Sequence, residues 1–239
     1  MMKPNKLIIE RQVTKFRADY GLGPSEPIHL KSLLLRLNVL TLFRPLSDTF
    51  SGMCLKGGAN YRFMLVNSNH PKGRQHFTIA HELYHLFIEE NPTFHKCTPG
   101  GGSKDPVERS ADMFASLLLM PVDGLLQVIP EHEIESKKIS MATVLKLEHY
   151  FSVSRSALLY RLLNVGLITE ITRAKLAETP VKISARDYGY DTTLYEPANC
   201  GLVIGDFGER ARILFEQGKI SEGHYLELMN KIRINGEED

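Results

Sequence analysis

Two of the nine histidines in this 239-residue chain stand four apart, in His81-Glu82-Leu83-Tyr84-His85. On a helix, residues i and i+4 share a face one turn apart, so both imidazoles can reach one zinc ion at about 2.0–2.1 Å. Glu82 follows the first histidine and projects beside such an ion rather than onto it. A carboxylate there can take a proton from water whose pKa the metal has lowered. A chain of this composition contains such a run by chance only about 0.03 times. The competing reading is two surface histidines on an amphipathic helix. Further on, Glu108 and Asp112 are also four apart. Glutamate is the usual third protein ligand beside two histidines, with a fourth corner left for water. An aspartate one turn later can accept a hydrogen bond from the far nitrogen of a ligand imidazole. His81, His85 and Glu108 are therefore the expected metal ligands, Glu82 the expected general base, and Asp112 the expected support of a ligand ring. Zinc is the expected ion, although Mn2+ or Fe2+ can enter the same ligand set.

Other residues carry weaker signals. His70, His76 and His95 flank the motif in sequence. Each could polarise a carbonyl, but such histidines are more often surface or hydrogen-bonded groups. Tyr61 and Tyr84 read as core-edge residues before they read as oxyanion donors. Cys54 reads as a buried apolar residue, with no local motif behind a thiolate ligand.

The elements that must hold these groups are legible from periodicity. Ile9, Val13, Phe16 and Tyr20 repeat at helical spacing, and Gly21 follows as a C-terminal cap. Leu30, Leu33, Leu34 and Leu37 predict a second short helix, and Val39–Phe43 is β-prone. Met53–Leu55 and Tyr61–Val66 flank a Gly57–Asn60 turn and predict a hairpin. Gln75–Glu89 is the helix carrying the motif, closed by Asn91-Pro92. A polar loop (Thr98–Lys104) then leads to a helix opening at Asp105-Pro106 and ending at Pro121. Helices are expected over Met141–Phe151, Ser154–Leu163, Thr169–Ala177, Phe207–Gln217 and Glu222–Ile232, with Thr179–Asn199 irregular.

Composition narrows the class. The chain is 43% hydrophobic and 24% charged, and Lys+Arg 29 against Asp+Glu 28 leaves +1, which argues against a polybasic nucleic-acid or membrane-surface protein. The longest unbroken apolar run is about four residues, too short for a bilayer. No apolar stretch follows the first lysines, so a secretory signal is not expected. Three scattered cysteines, Cys54, Cys97 and Cys200, form no disulfide framework, and a cytoplasmic location is expected.

Two stretches together resemble the ImmA/IrrE family of zinc metallopeptidases: Arg74-Gln75-His76-Phe77-Thr78-Ile79-Ala80-His81-Glu82-Leu83-Tyr84-His85-Leu86, and Glu108-Arg109-Ser110-Ala111-Asp112-Met113-Phe114-Ala115 continuing through Leu117-Leu118-Leu119-Met120-Pro121. The resemblance spans residues 25–165. It implies an α+β fold: a zincin-like metallopeptidase core with a small twisted sheet beside the His81–His85 helix, followed by a mostly helical C-terminal part. It also implies a cytoplasmic protein that cleaves or antagonises a helix-turn-helix transcriptional repressor, releasing mobile-element or stress genes. Two positions depart from the family pattern. Tyr84 stands where glycine is usual and His76 where arginine is common, so a bulky ring must find space at the Tyr84 position.

Three parts are expected: residues 1–130 as the metallopeptidase domain, 131–178 as a helix-turn-helix-like segment, and 179–239 as a C-terminal helical region of unassigned role. Leu145–Ile168 reads as two helices joined by a turn. From Glu131 to Val165, five basic residues face four acidic ones. That +1 gives little phosphate-driven affinity, so a packing unit is favoured over a DNA reader. The leading expectation is a zinc-dependent endopeptidase acting on a protein substrate, with Tyr61–Val66 as the sheet edge that receives it. The alternative is a non-proteolytic regulator that binds a repressor or DNA on the same scaffold.

Overall fold

The computed structural model describes residues 5–57, 61–90, 95–97 and 105–232, with 95–97 described as backbone only. The expected Gly58–Asn60 turn residues, Asn91-Pro92 and the Thr98–Lys104 loop lie outside the described residues.

Helix α1 (Lys6–Asp19) starts where the Asn5 side chain accepts from Leu7 N–H, and it buries Ile9, Val13 and Phe16. Helix α2 (Leu30–Arg36) leads into strand β1 (Val39–Arg44). The hairpin follows as β2 (Gly52–Lys56) and β3 (Arg62–Asn67), paired antiparallel. Next come α3 (Lys72–Phe87), the short strand β4 (His95–Cys97) and α4 (Pro106–Leu119). Asp105 caps α4 by accepting from Val107 N–H, and Pro106 occupies its first turn. The remaining helices are α5 (Val122–Val128), α6 (Glu131–Ser136), α7 (Met141–Phe151), α8 (Arg155–Asn164), α9 (Glu170–Glu178), α10 (Val181–Asp187), α11 (Phe207–Glu216) and α12 (Glu222–Ile232). A 3-10 turn (Thr193–Tyr195) and strand β5 (Val203–Ile204) separate α10 from α11.

Sequence periodicity misses α5, α6 and α10, which have six or seven residues each and bury at most two of them, fewer than the leucine stripe of the equally short α2. Each follows a proline, at 121, 130 and 180. A proline that stops one helix also presets φ for the start of the next. The segment read as irregular, Thr179–Asn199, therefore contains α10.

The sheet has five strands in the order β4-β2-β3-β1-β5, with β1 and β3 parallel and the other pairs antiparallel. The fold is thus α+β, a small mixed sheet with a helical C-terminal part. Alternation puts Val39, Phe43, Cys54, Met64 and Val66 on the buried face. The expectation that Tyr61–Val66 forms a receiving edge is wrong. β3 is an interior strand, paired on one side to β1 and on the other to β2, so its backbone groups are already taken. The end strands are β4 and β5.

One apolar core runs from Ile9 to Ile204 and draws on α1, α2, the sheet, α3, α4 and α7–α9. The chain after α10 returns to it. Lys72 N–H donates to Glu196 O, and the buried Gln75 amide donates to Ser68, His70 and Ala198 carbonyls. Asn199 donates to Gln75 Oε1, and β5 adds to β1. Residues 196–204 therefore hold the first turn of α3 against the sheet. Among the described residues, no single helix is long and apolar enough to cross a membrane.

Candidate metal centre

Helix α3 packs more extensively on α4 than on any other element. Fully buried alanines, Ala80 on α3 and Ala111 and Ala115 on α4, let the two helices approach. This contact brings His81 and His85 on α3 to Glu108 in the first turn of α4. One atom from each lies within 4.8 Å of the others. The His81 and His85 Nε2 atoms are 3.2 Å apart. Glu108 Oε2 is 3.3 Å from His81 Nε2, and its Oε1 is 3.5 Å from His85 Nε2. Two donors each about 2.0–2.1 Å from one ion at the tetrahedral angle lie about 3.3–3.4 Å apart. The His81–His85 and His81–Glu108 Oε2 distances match that figure, and the other Glu108 oxygen faces His85.

The groups behind the rings support the same fit. His81 Nδ1 lies 2.9 Å from Asp112 Oδ1, and His85 Nδ1 lies 2.7 Å from Glu89 Oε2. A carboxylate only accepts, so each Nδ1 is the donor, and each Nε2 is aimed at the other ring and at Glu108. Two ring nitrogens and a carboxylate converging in this way offer three donor atoms to one cation. Both rings are buried (His81 3% exposed, His85 0%). The residues fit a divalent metal.

Glu82 is fully buried one residue after the first histidine. Strand β2 crosses beside it: a Cβ at Gly52 would fall 2.6 Å from Thr78 Cγ2 and 3.7 Å from Glu82 Oε1. Glycine is required there because the strand passes so close to the helix.

The weaker candidates lie elsewhere. His76 is held by the turn between α7 and α8. Its Nδ1 donates to Ser152 O at 2.8 Å, and burial pushes its pKa down to about 4. His70 is buried in the turn before α3, its pKa lowered first by burial and then by Arg74. Tyr61 lies under the Arg210 guanidinium, 5.0 Å from the ring centre. It borders a pocket of about 360 Å³ on the outward face of the sheet that shares no residue with the metal cluster. Cys54 is buried on β2 and is not in the cluster. His95 belongs to β4 by its backbone, and its side chain lies outside what the structure describes. Tyr84 finds its space against α4: its ring meets Phe114 at 5.7 Å, its hydroxyl contacts Ser110, and it meets His85 edge-on at 5.7 Å. The bulky ring thus joins the two helices that carry the candidate metal ligands.

Glu89 escapes the sequence reading, although it stands at i+4 from His85, the same spacing that singles out the histidines.

Among curated proteins no sequence matches the chain. Residues 36–163, more than half of the chain and all of the His81, Glu82, His85, Glu108 and Asp112 constellation, match the Peptidase_M78 family, described as the IrrE N-terminal-like domain. The match and the buried His–His–Glu cluster agree, and the chain belongs to this peptidase family.

Proposed function

We propose that the protein is a zinc-dependent endopeptidase whose substrate is a helix-turn-helix transcriptional repressor. The observation that carries the proposal is the convergence of His81, His85 and Glu108 to within 4.8 Å of one another, with Glu82 buried one residue after the first histidine. A zinc ion held there supplies Lewis acidity toward a scissile carbonyl and makes water acidic enough to be deprotonated near neutral pH. Glu108 and the two imidazoles provide the cage, and Asp112 holds the His81 ring through Nδ1. Glu82 accepts the proton from the attacking water and passes it to the departing amine nitrogen, acting first as base and then as acid. Its burial excludes bulk water from that transfer.

The helix-turn-helix segment (α7 and α8) supports a packing role. Of the five basic residues between Glu131 and Val165, the two on α8 are buried: Arg155 pairs with Glu148 at 2.6 Å, and Arg161 donates to Met120 O. Glu148, the partner of Arg155, and Glu133, which accepts from Ser140 N–H, are buried as well, so the surface that remains is close to neutral.

The test is to mix the purified protein, zinc and the regulator encoded next to it, and to follow cleavage on a gel. Glu82→Gln retains the metal and loses at least 100-fold in cleavage rate. Cleavage undiminished in that variant overturns the mechanism. Repressor binding with no cleavage by the wild type transfers the role to the non-proteolytic alternative.

A further inference from the structure

Each ligand imidazole has a carboxylate behind it, yet only Asp112 lies in the two motif-bearing stretches. Glu89 lies beyond both, two residues past the end of α3. We infer that Glu89 is the positioning residue of His85: it locks the ring in the Nδ1–H tautomer and aims Nε2 into the cage. The inference rests on the reading of His81, His85 and Glu108 as a metal site.

Three observations carry it. The Glu89 Oε2 to His85 Nδ1 contact is 2.7 Å, and it is well shielded, with the ring 0% and the glutamate side chain 14% exposed. The closing turn of α3 builds it: Ile88 and Glu89 N–H both bond Tyr84 O, at 2.8 and 3.0 Å, and this wide closure folds Glu89 back over the last turn. The Tyr84 ring stands nearly perpendicular to His85 (84°), so the imidazole is braced by a neighbour as well as by its hydrogen bond.

Local electrostatics disfavour this placement. A helix C-terminus carries partial negative charge, and a carboxylate there is on the wrong end. A residue that breaks a local rule while bonding a ligand ring is where a functional demand shows. A cation in the cage offsets the cost, because the carboxylate raises the basicity of the ring that binds it.

The test compares Glu89→Ala and Glu89→Gln with the wild type in three measurements: zinc affinity by chelator competition, the His85 tautomer by 15N NMR of the metal-free protein, and the melting temperature of the metal-free protein. Expected for Glu89→Ala is a 10- to 100-fold weaker zinc affinity, loss of the Nδ1–H tautomer preference and an unchanged melting temperature. Glu89→Gln keeps an oxygen acceptor, so it retains the tautomer and loses less affinity than Ala. Zinc affinity equal to wild type in Glu89→Ala overturns the inference, as does an Nε2–H tautomer in the metal-free wild type. An affinity loss that tracks a lowered melting temperature, with no rescue by Gln, reassigns Glu89 to holding the helix end. If the wild type binds no zinc, the cage reading fails, while the tautomer measurement still decides whether Glu89 governs His85.

Discussion

The histidines of this protein do different work according to what stands behind each ring. His81 and His85 each face a carboxylate through Nδ1 and turn Nε2 toward the other and toward Glu108. His76, only five residues earlier on the same helix, faces a carbonyl and packed surface instead. Burial pushes its pKa to about 4, against the opposing hydrogen bond to Ser152 O. The sign follows from linkage: below pH 6.5 the unfolded chain takes up a proton that the fold refuses until about pH 4. Stability therefore falls as the solution is acidified, by about 1.4 kcal/mol per pH unit across that window. His76→Asn keeps a donor for Ser152 O and removes the titration. Urea midpoints at pH 7 and pH 5 should show the wild type losing about 2 kcal/mol more than this variant. An equal loss in both would place the acid sensitivity elsewhere.

At the scale of elements, buried arginines tie the helices that carry the site to those that do not. Arg17 of α1 donates to Leu118 O, and Arg161 of α8 to Met120 O. Both satisfy carbonyls at the C-terminal end of α4, where cations are favoured by the helix dipole. The register of α4, and with it Glu108, is fixed from the end opposite the candidate metal site. Arg155 does the same for α7 and α8: it bonds Glu148 twice, Ser184 Oγ and Thr179 O, while Tyr195 donates to Glu148 Oε2. Arg155→Met leaves the Glu148 carboxylate buried without its cation and should cost about 3–5 kcal/mol by urea denaturation. Arg155→Met combined with Glu148→Leu and Tyr195→Phe should recover most of that loss, because an apolar set of similar size has no buried charge to satisfy. A triple variant as unstable as the single one would mean the cost is packing, not charge.

Across the whole molecule, the strands and turns after α10 close the fold around the start of α3. Leu194, Tyr195 and Ile204 are buried, β5 covers the flank of β1, and Ala198 and Asn199 satisfy the amide of Gln75. Helices α11 and α12 are different: Ala211 is their one buried side chain among the described residues. A chain ending at residue 178 should lose at least about 5 kcal/mol, or 10 °C or more in melting temperature, from the apolar surface it exposes. A chain ending at residue 206 should melt within a few degrees of the full length. Calorimetry of the two truncations checks both. A stable, cooperative 178-residue chain would show that residues 179–204 are dispensable to the metallopeptidase part.

The sequence by itself determined the two halves of the candidate metal site, because a helix places i and i+4 on one face whatever surrounds it, and His81–His85 and Glu108–Asp112 use only that rule; the packing of α3 on α4 decided that the halves meet. It likewise determined the long helices, whose apolar stripes repeat often enough to declare a period, and the α+β class. Tertiary structure alone decided the order of strands. Tyr61–Val66 reads the same as an edge or an interior strand, and only the pairing of β1 and β2 on its two sides makes it interior. Tertiary structure also decided that His76 serves the contact with the turn between α7 and α8 and that Tyr84 joins α3 to α4, since both depend on residues far along the chain. Spacing along one helix is local geometry. Which helix or strand arrives opposite it is set by burial of the whole core, which no single stretch of sequence encodes.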